Sequence, residues 1–448
     1  MANFAKPSVP RFTAEVYQNE FLPVGGRDVH AIVTVTSTGG ATATRAALAG
    51  VAGSTAVVIM VDCSGSMEYP PTKMQGARQA TAAAIDTLRD GTSFAVIAGT
   101  HEAREVYPGQ GRLAVADATT RARAKEALHR LTSGGGTAIG TWLRLADGLL
   151  SNTTAAIRHG ILLTDGRNEH EEPERLRATL DACAGRFTCD ARGVGTDWEV
   201  AEVTGIAGAL LGTADIVADP AHLAEDFTRM MENAMGKEVA DVVLRVWTPV
   251  GAEILFVKQV APAVLDLTGR RTAAGPRAGD YPTGSWGDES REYHLCVRVP
   301  AAAVGQEMLA ARISLALPAA VPGQAGSGSA SVLAQGLVRA VWTDDLAAST
   351  AISPQVAHYT GQAELAQVIQ QGLQARKLGD IGGATAKLGR AVQLAVTSGN
   401  EDTAKLLAKV VDVVDAAAGT VRLKAKVADA DEMTLETRST QTVRVKKS

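Results

Sequence analysis

The chain predicts a multidomain α/β plus β plus α fold: a doubly wound α/β domain inserted in an antiparallel β-sandwich, followed by a C-terminal helical hairpin region. Three observations predict it. Short, wholly apolar strands alternate with helical stretches over residues 54–236. Period-two strands punctuated by Gly and Pro lie on both sides of that stretch. An Ala-rich segment with helical apolar spacing then follows. At 448 residues the length itself favours about three domains. The expected boundaries are 10–50 for the first sandwich strands, 54–236 for the α/β domain and 237–345 for the rest of the sandwich. Helical hairpins follow over 350–420, and a tail over 421–448.

The elements follow in order. Between Arg11 and Thr38, Val29, Ala31, Val33 and Val35 share one face of a strand, and Leu22 to Arg27 supplies the preceding turn. The Gly/Ala/Thr stretch Gly39–Ser54 has no period and reads as a linker. Val57–Val61 is a continuous apolar run, the mark of a strand buried on both faces. After it come a helix (Lys73–Arg89), a strand (Ser93–Gly99), helices at Thr119–Leu131 and Thr141–Leu150, and the strand Gly160–Thr164. The alternation continues with Glu174–Phe187 (helix), Thr188–Val194 (strand), Trp198–Ile206 (helix), Ala214–Ala218 (strand) and Ala221–Met235 (helix). Beyond Lys237 the strands Val239–Pro249, Glu253–Val260, Glu292–Val299, Ala311–Leu317 and Ala330–Trp342 are separated by turns. The Gly/Pro-rich stretch Thr268–Asp288, with Arg270, Arg271, Arg277, Tyr281 and Trp286, reads as a long solvated loop or hairpin. Three helices are expected from Ser353 on, the last two at Ala384–Thr397 and Thr403–Ala418. These pairs resemble tetratricopeptide-like hairpins, and their Gly positions also suit self-association. The tail from Thr434 to Ser448 reads as disordered or as a peripheral strand, with threonine phosphorylation as a lesser reading.

Composition excludes several classes. No run of ~18 apolar residues is available to span a membrane, and the first residues lack the pattern of a secretory signal. Cys63, Cys183, Cys189 and Cys296 are too few and too scattered for a disulfide scaffold or a Cys-rich zinc site. With 44 basic and 48 acidic residues the net charge is -4, so no basic field invites nucleic acid. A cytoplasmic protein is expected.

The chemistry concentrates in three loops, each at an expected carboxyl edge of the parallel sheet. Asp62-Cys63-Ser64-Gly65-Ser66 follows the first buried strand, Gly134-Gly135-Gly136-Thr137 precedes a helix, and Asp165-Gly166 ends a later strand. Carboxylates with hydroxyls suit a hard cation such as Mg²⁺, with Mn²⁺ or Ca²⁺ as alternatives. Plain helix capping explains Asp62 and its serines but neither Thr137 nor Asp165. A phosphate cradle lacks the Lys-Ser/Thr of a P-loop. Cys183 and Cys189 read as buried thiols.

These residues resemble the metal-ion-dependent adhesion site of the von Willebrand factor A family, over about Thr55 to Met235. Asp62, Ser64 and Ser66 match its Asp-x-Ser-x-Ser motif, Thr137 its Thr and Asp165 its distal Asp. The resemblance implies an intact site that holds Mg²⁺ while a partner protein supplies an Asp or Glu as a further ligand. His101, Glu102 and Arg167 are candidates for the partner-binding rim. The whole order of segments resembles actinobacterial cytoplasmic A-domain proteins. That implies a signalling scaffold beside Ser/Thr kinases, phosphatases and forkhead-associated proteins, without enzymatic activity. A regulatory subunit of an ATPase- or chelatase-type machine, a metal-dependent hydrolase and a purely structural assembly protein remain the alternatives.

Overall fold

Residues 11–38, 55–318 and 331–445 are described by the structure, a computed structural model. They divide into two units: residues 55–240 with 284–287, and residues 11–38, 241–283, 288–318 and 331–445.

The first unit is built on one sheet. Its strands are β4 (Thr55–Asp62), β5 (Ser93–Gly99), β6 (Ala103–Tyr107), β7 (Ala114–Val115), β8 (Ile157–Thr164), β9 (Thr188–Val194) and β10 (Ala214–Val217). The order is β10-β9-β8-β4-β5-β6, with β7 also on β5. Neighbours from β10 to β5 are parallel, and β6 and β7 run antiparallel to β5. The chain winds outward from β4 to β5, then returns to place β8 on the other side of β4. The order therefore reverses at the β4/β8 pair, where α/β sheets bind ligands at the carboxyl edge.

Helices α1 (Thr72–Thr87), α2 (Ala118–Leu128), α3 (Ile139–Ser151), α4 (Pro173–Cys183), α5 (Val200–Ala209) and α6 (Leu223–Met235) accompany the strands. Val57, Ile59 and Val61 on one face of β4 join a core with Ala77, Ala80 and Ala84 of α1 and Phe227, Met230 and Met231 of α6. Each such Val or Ile contributes roughly 1.5–3 kcal/mol by burial. The small residues of α1 let it lie close to the sheet. At the end of β5, Gly99 leaves room for the Trp142 ring, whose Nε1–H donates to the Thr100 carbonyl at 2.7 Å.

The second unit holds two sheets. Strands β1 (Arg11–Gln18), β3 (Asp28–Thr38), β12 (Glu253–Ala261), β13 (Leu265–Asp266) and β16 (Glu289–Arg298) form one, in the order β1-β3-β16-β12-β13. β3 pairs antiparallel with β16, from Ser37 opposite Glu289 to Asp28 opposite Arg298. The other has the order β14-β15-β11-β17-β18-β2, from β14 (Thr272–Gly275), β15 (Ala278–Trp286), β11 (Val239–Trp247), β17 (Glu307–Leu317), β18 (Ser331–Trp342) and β2 (Phe21–Leu22). The long loop expected over Thr268–Asp288 is largely the β14–β15 hairpin, and Tyr281 and Trp286 are buried. The linker expected over Gly39–Ser54 lies outside the described residues.

After the short α7 (Leu346–Thr350) come α8 (Pro354–Lys377), α9 (Ile381–Thr397) and α10 (Glu401–Val410). Leu365, Ile369, Leu373, Leu388, Ala391, Leu407 and Val410 pack together from their apolar stripes. Two expectations are corrected here. The third helix stops at Val410 instead of Ala418, because the chain turns into the hairpin β19 (Val411–Asp415) and β20 (Thr420–Leu423). Part of the expected disordered tail is helix: α11 (Asp429–Arg438) buries Leu435 in the same core. Residues 439–445 are placed as well, with the Val264 N–H donating to Thr440 O and the Thr442 N–H to Pro262 O.

Among the described residues no helix is long and apolar enough to cross a membrane.

Candidate metal centre

Asp62 ends β4, and its carboxylate is the hub of the first loop. Its Oδ1 accepts the Ser64 N–H at 2.8 Å, a local turn that folds the loop back on the strand end. Its Oδ2 accepts the Thr164 hydroxyl of neighbouring β8 at 2.6 Å. The Ser64 and Ser66 hydroxyls lie 2.9 Å apart, and Ser66 Oγ donates to Asp165 Oδ1 at 2.7 Å. Parallel pairing of β4 with β8 thus delivers both acids to one edge, since Asp62 and Thr164 end paired strands and Asp165 follows directly.

The second loop is held by its backbone. The Gly134 N–H donates to Cys63 O and the Gly65 N–H to Gly135 O, each at 2.9 Å. Gly135 sits at φ +79°, a conformation that favours glycine. Thr137 then links to the third loop: its N–H donates to His170 Nδ1 at 3.2 Å, and its carbonyl accepts the His170 N–H at 3.0 Å. The helix α3 that follows has Ala138 at its N-cap, a residue with no capping oxygen. Its first N–H groups are instead satisfied by the third loop, Ile139 by Asn168 Oδ1 and Gly140 by Glu171 Oε2, each at 2.7 Å.

The three hydroxyls converge. A Cβ on Gly166 would stand 3.0 Å from Ser66 Oγ, 3.4 Å from Thr137 Oγ1 and 3.8 Å from Ser64 Oγ. Thr137 is buried, and its hydroxyl faces the same point as the two serine hydroxyls. The donor set is therefore two carboxylates and three hydroxyls, all hard oxygens, which fits a divalent cation that retains water. Among the described residues no three His, Cys, Asp or Glu side chains cluster as ligands.

Electrostatics shape the site. Burial pushes the Asp62 carboxyl up to about 6, against hydrogen bonds from Ser64 and Thr164 that favour its charged form. Lys73, at the start of α1, places its ammonium 2.7 Å from Asp165 Oδ2 and 3.0 Å from Asp197 Oδ2. Burial alone would lower its pKa, but the bonds to Asp165 and Asp197 outweigh it and hold the ammonium above its usual range.

All five residues expected to bind metal thus meet at one sheet edge. Of the rim candidates, His101 and Glu102 lie exposed in the β5–β6 turn, and His101 Nδ1 stands 2.8 Å from where a Gly135 Cβ would be. Arg167, next to Gly166, pairs with Glu199 at 3.1 Å. Sequence reasoning missed Lys73, Thr164 and His170. The run Glu169-His170-Glu171-Glu172 reads as solvated surface, and only the missing cap at Ala138 signals that neighbouring side chains are needed there. Cys63, beneath the first loop, is a buried free thiol pushed up to about 12 by burial. Cys183 and Cys189 are likewise buried and free.

Comparison with known proteins gives this geometry a context. Residues 55–216 match the family described as von Willebrand factor type A domain, and residues 393–439 match the von Willebrand factor type A C-terminal domain. The solved structure of a von Willebrand factor type A protein from Catenulispora acidiphila is 51% identical, covers 99% of both chains and superposes with a TM-score of 0.90. The ArnB paralog VWA2 from Sulfolobus acidocaldarius shares the fold at 14% identity, with 95% of this chain and 97% of that one covered and a TM-score of 0.57. An uncharacterized protein of Synechocystis sp. is 28% identical over 232 residues, which span 50% of this chain and 53% of that protein.

Proposed function

We propose a metal-dependent protein-binding role for this chain, which belongs to the von Willebrand factor type A family. Domains of this family generally mediate protein–protein interaction. In our reading Asp62, Ser64, Ser66, Thr137 and Asp165 hold a divalent cation, with Mg²⁺ preferred for its hard oxygen donors. The bound ion offers an electrophilic position to an Asp or Glu of the partner. The observation that carries the reading is the convergence of three hydroxyls, those of buried Ser64 and Thr137 and half-buried Ser66, with two carboxylates where the strand order reverses.

The surroundings favour binding over hydrolysis. His170 Nδ1 accepts the Thr137 N–H, which gives that ring nitrogen a part in holding the loop. His101, Glu102 and Arg167 form the rim that meets the partner. The two β sheets form the sandwich that carries the α/β unit as an insertion, and the helices after Ser353 offer further surface, for self-association among other uses. A cytoplasmic scaffold in a Ser/Thr phosphorylation-linked system is the setting that the overall resemblance suggests.

The test is calorimetric unfolding of the full chain with EDTA or with MgCl₂, joined to affinity capture under the same two conditions. A Mg²⁺-dependent rise in Tm and a Mg²⁺-dependent set of captured proteins are expected, both abolished by Asp165→Ala. Capture that is identical in EDTA, in Mg²⁺ and with Asp165→Ala refutes metal-gated recognition. Turnover of a substrate by the chain alone would move the reading to a hydrolase.

A further inference from the structure

We propose that Lys73 is a built-in counter-ion which a divalent cation must displace, and that Asp197 is the carboxylate to which its ammonium then retires. The proposal rests on the metal-site reading above.

Lys73 stands between two carboxylates of opposite character. Asp165 is fully buried and Asp197 has a side chain 66% exposed, while the Lys73 side chain itself is 9% exposed. Its Nζ reaches Asp165 Oδ2 at 2.7 Å, Asp197 Oδ2 at 3.0 Å and the Ser66 carbonyl at 3.4 Å. Ser66 Oγ occupies the other Asp165 oxygen. Both oxygens of Asp165 are therefore engaged by the protein, one of them by a full positive charge.

Two consequences follow from charge and position. With the ammonium in place, Asp165 is a neutralised buried carboxylate, so the site is tolerable without an ion. A cation that takes Asp165 meets a like charge in partly buried surroundings, where repulsion is weakly screened. Asp197 makes the exchange feasible. An ammonium that leaves Asp165 keeps a carboxylate within hydrogen-bond distance and is never orphaned. The protein thus holds the cation weakly by itself, and the negative charge of a partner's carboxylate tips the exchange. Ion and partner bind with positive coupling, each raising the affinity for the other.

The test is isothermal titration of the full-length chain with MgCl₂ and with MnCl₂, with melting curves to establish folding. Lys73→Met removes the competing charge and is expected to bind the ion at least about tenfold more tightly. Lys73→Arg keeps the charge and stays within about twofold of wild type. Asp197→Asn removes the retreat and binds about three- to fivefold more weakly. The opposite signs of Lys73→Met and Asp197→Asn distinguish this device from a purely structural lysine. Should Lys73→Met fail to fold, Lys73→Gln takes its place, and Asp197→Asn is read beside it. Unchanged or weaker binding by folded Lys73→Met, or unchanged or tighter binding by Asp197→Asn, overturns the proposal while leaving the site intact, provided wild type binds and Asp62→Ala does not. Absence of binding by wild type and Lys73→Met alike overturns the site reading and this inference together.

Discussion

Thr164→Val is the sharpest perturbation of the centre because it replaces none of the five residues that supply oxygen donors. Valine matches threonine in shape, so the change removes a hydroxyl and little else. That hydroxyl donates to Asp62 Oδ2 at 2.6 Å, and both residues are wholly inaccessible to solvent. Water cannot replace the lost bond. Hydrogen bonds to charged groups are worth about 1.5–3 kcal/mol, and stranding a buried acceptor costs a similar amount, so we expect a loss of about 2 kcal/mol. For a unit of this size each kcal/mol moves Tm by about 2–4 °C, which sets the expected drop near 4–8 °C. Differential scanning calorimetry in EDTA reads it. Repeating the scan in MgCl₂ reads the second expectation, a smaller Mg²⁺-induced rise in Tm than in wild type, because Asp62 loses the contact that orients it. A drop below about 1 °C in EDTA, with an unchanged response to Mg²⁺, refutes the reasoning that this bond positions Asp62.

Three further outcomes are expected. His294, buried on β16 beside His30 and facing Lys258 and Phe256, has its pKa lowered from 6.5 to about 4 by burial, with His30 and Lys258 adding to the effect. The neutral ring is the folded form, so its contribution is complete above 6.5 and is lost as pH falls toward 4. The loss amounts to about 2 kcal/mol by pH 5, and urea titrations at pH 7.5 and 5.0 should show it in wild type and not in His294→Leu. Asp226→Ala strands the buried Arg192, whose Nε lies 2.6 Å from Asp226 Oδ2, and should cost about 3–5 kcal/mol in urea unfolding followed by tryptophan fluorescence. Gly193→Ala would put a Cβ 1.9 Å from the buried Trp198 ring, and a loss of about 1–3 kcal/mol with an altered near-UV circular dichroism spectrum is expected.

What was legible in the sequence and what was not have physical reasons. Buried parallel strands announce themselves, as Val57–Val61 does, because both faces must be apolar. The oxygen donors were legible as residues because Asp, Ser and Thr at strand ends have few other uses in combination. Thr164 was hidden because threonine is an ordinary strand residue. Lys73 was hidden because a lysine in the first turn of a helix normally reaches solvent, and only the fold brings Asp165 beneath it. At Val410–Val414 two signals overlapped. The apolar spacing continues a helix, the β-branched run favours a strand, and the Ala416-Ala417-Ala418 turn looks helical by propensity. Gly419, at φ +68°, is where the hairpin turns. For α11 the acids Asp429, Asp431 and Glu432 in the first turn and Arg438 in the last were the available sign, masked by the threonines around them.

The pairing of β3 with β16 bears on how the chain is made. The strand that ends at Thr38 finds its partner only from Glu289 on, roughly 250 residues later. At about 5–20 residues per second, a ribosome needs on the order of 10–50 s to deliver that partner. Throughout this interval the backbone edge of β3 that will pair with β16 stands open, a template for unwanted strand addition. The whole α/β unit is synthesised within the same interval and can fold in it. The first hairpin among the described residues thus waits for its sheet to be completed, and its open edge needs shielding during synthesis.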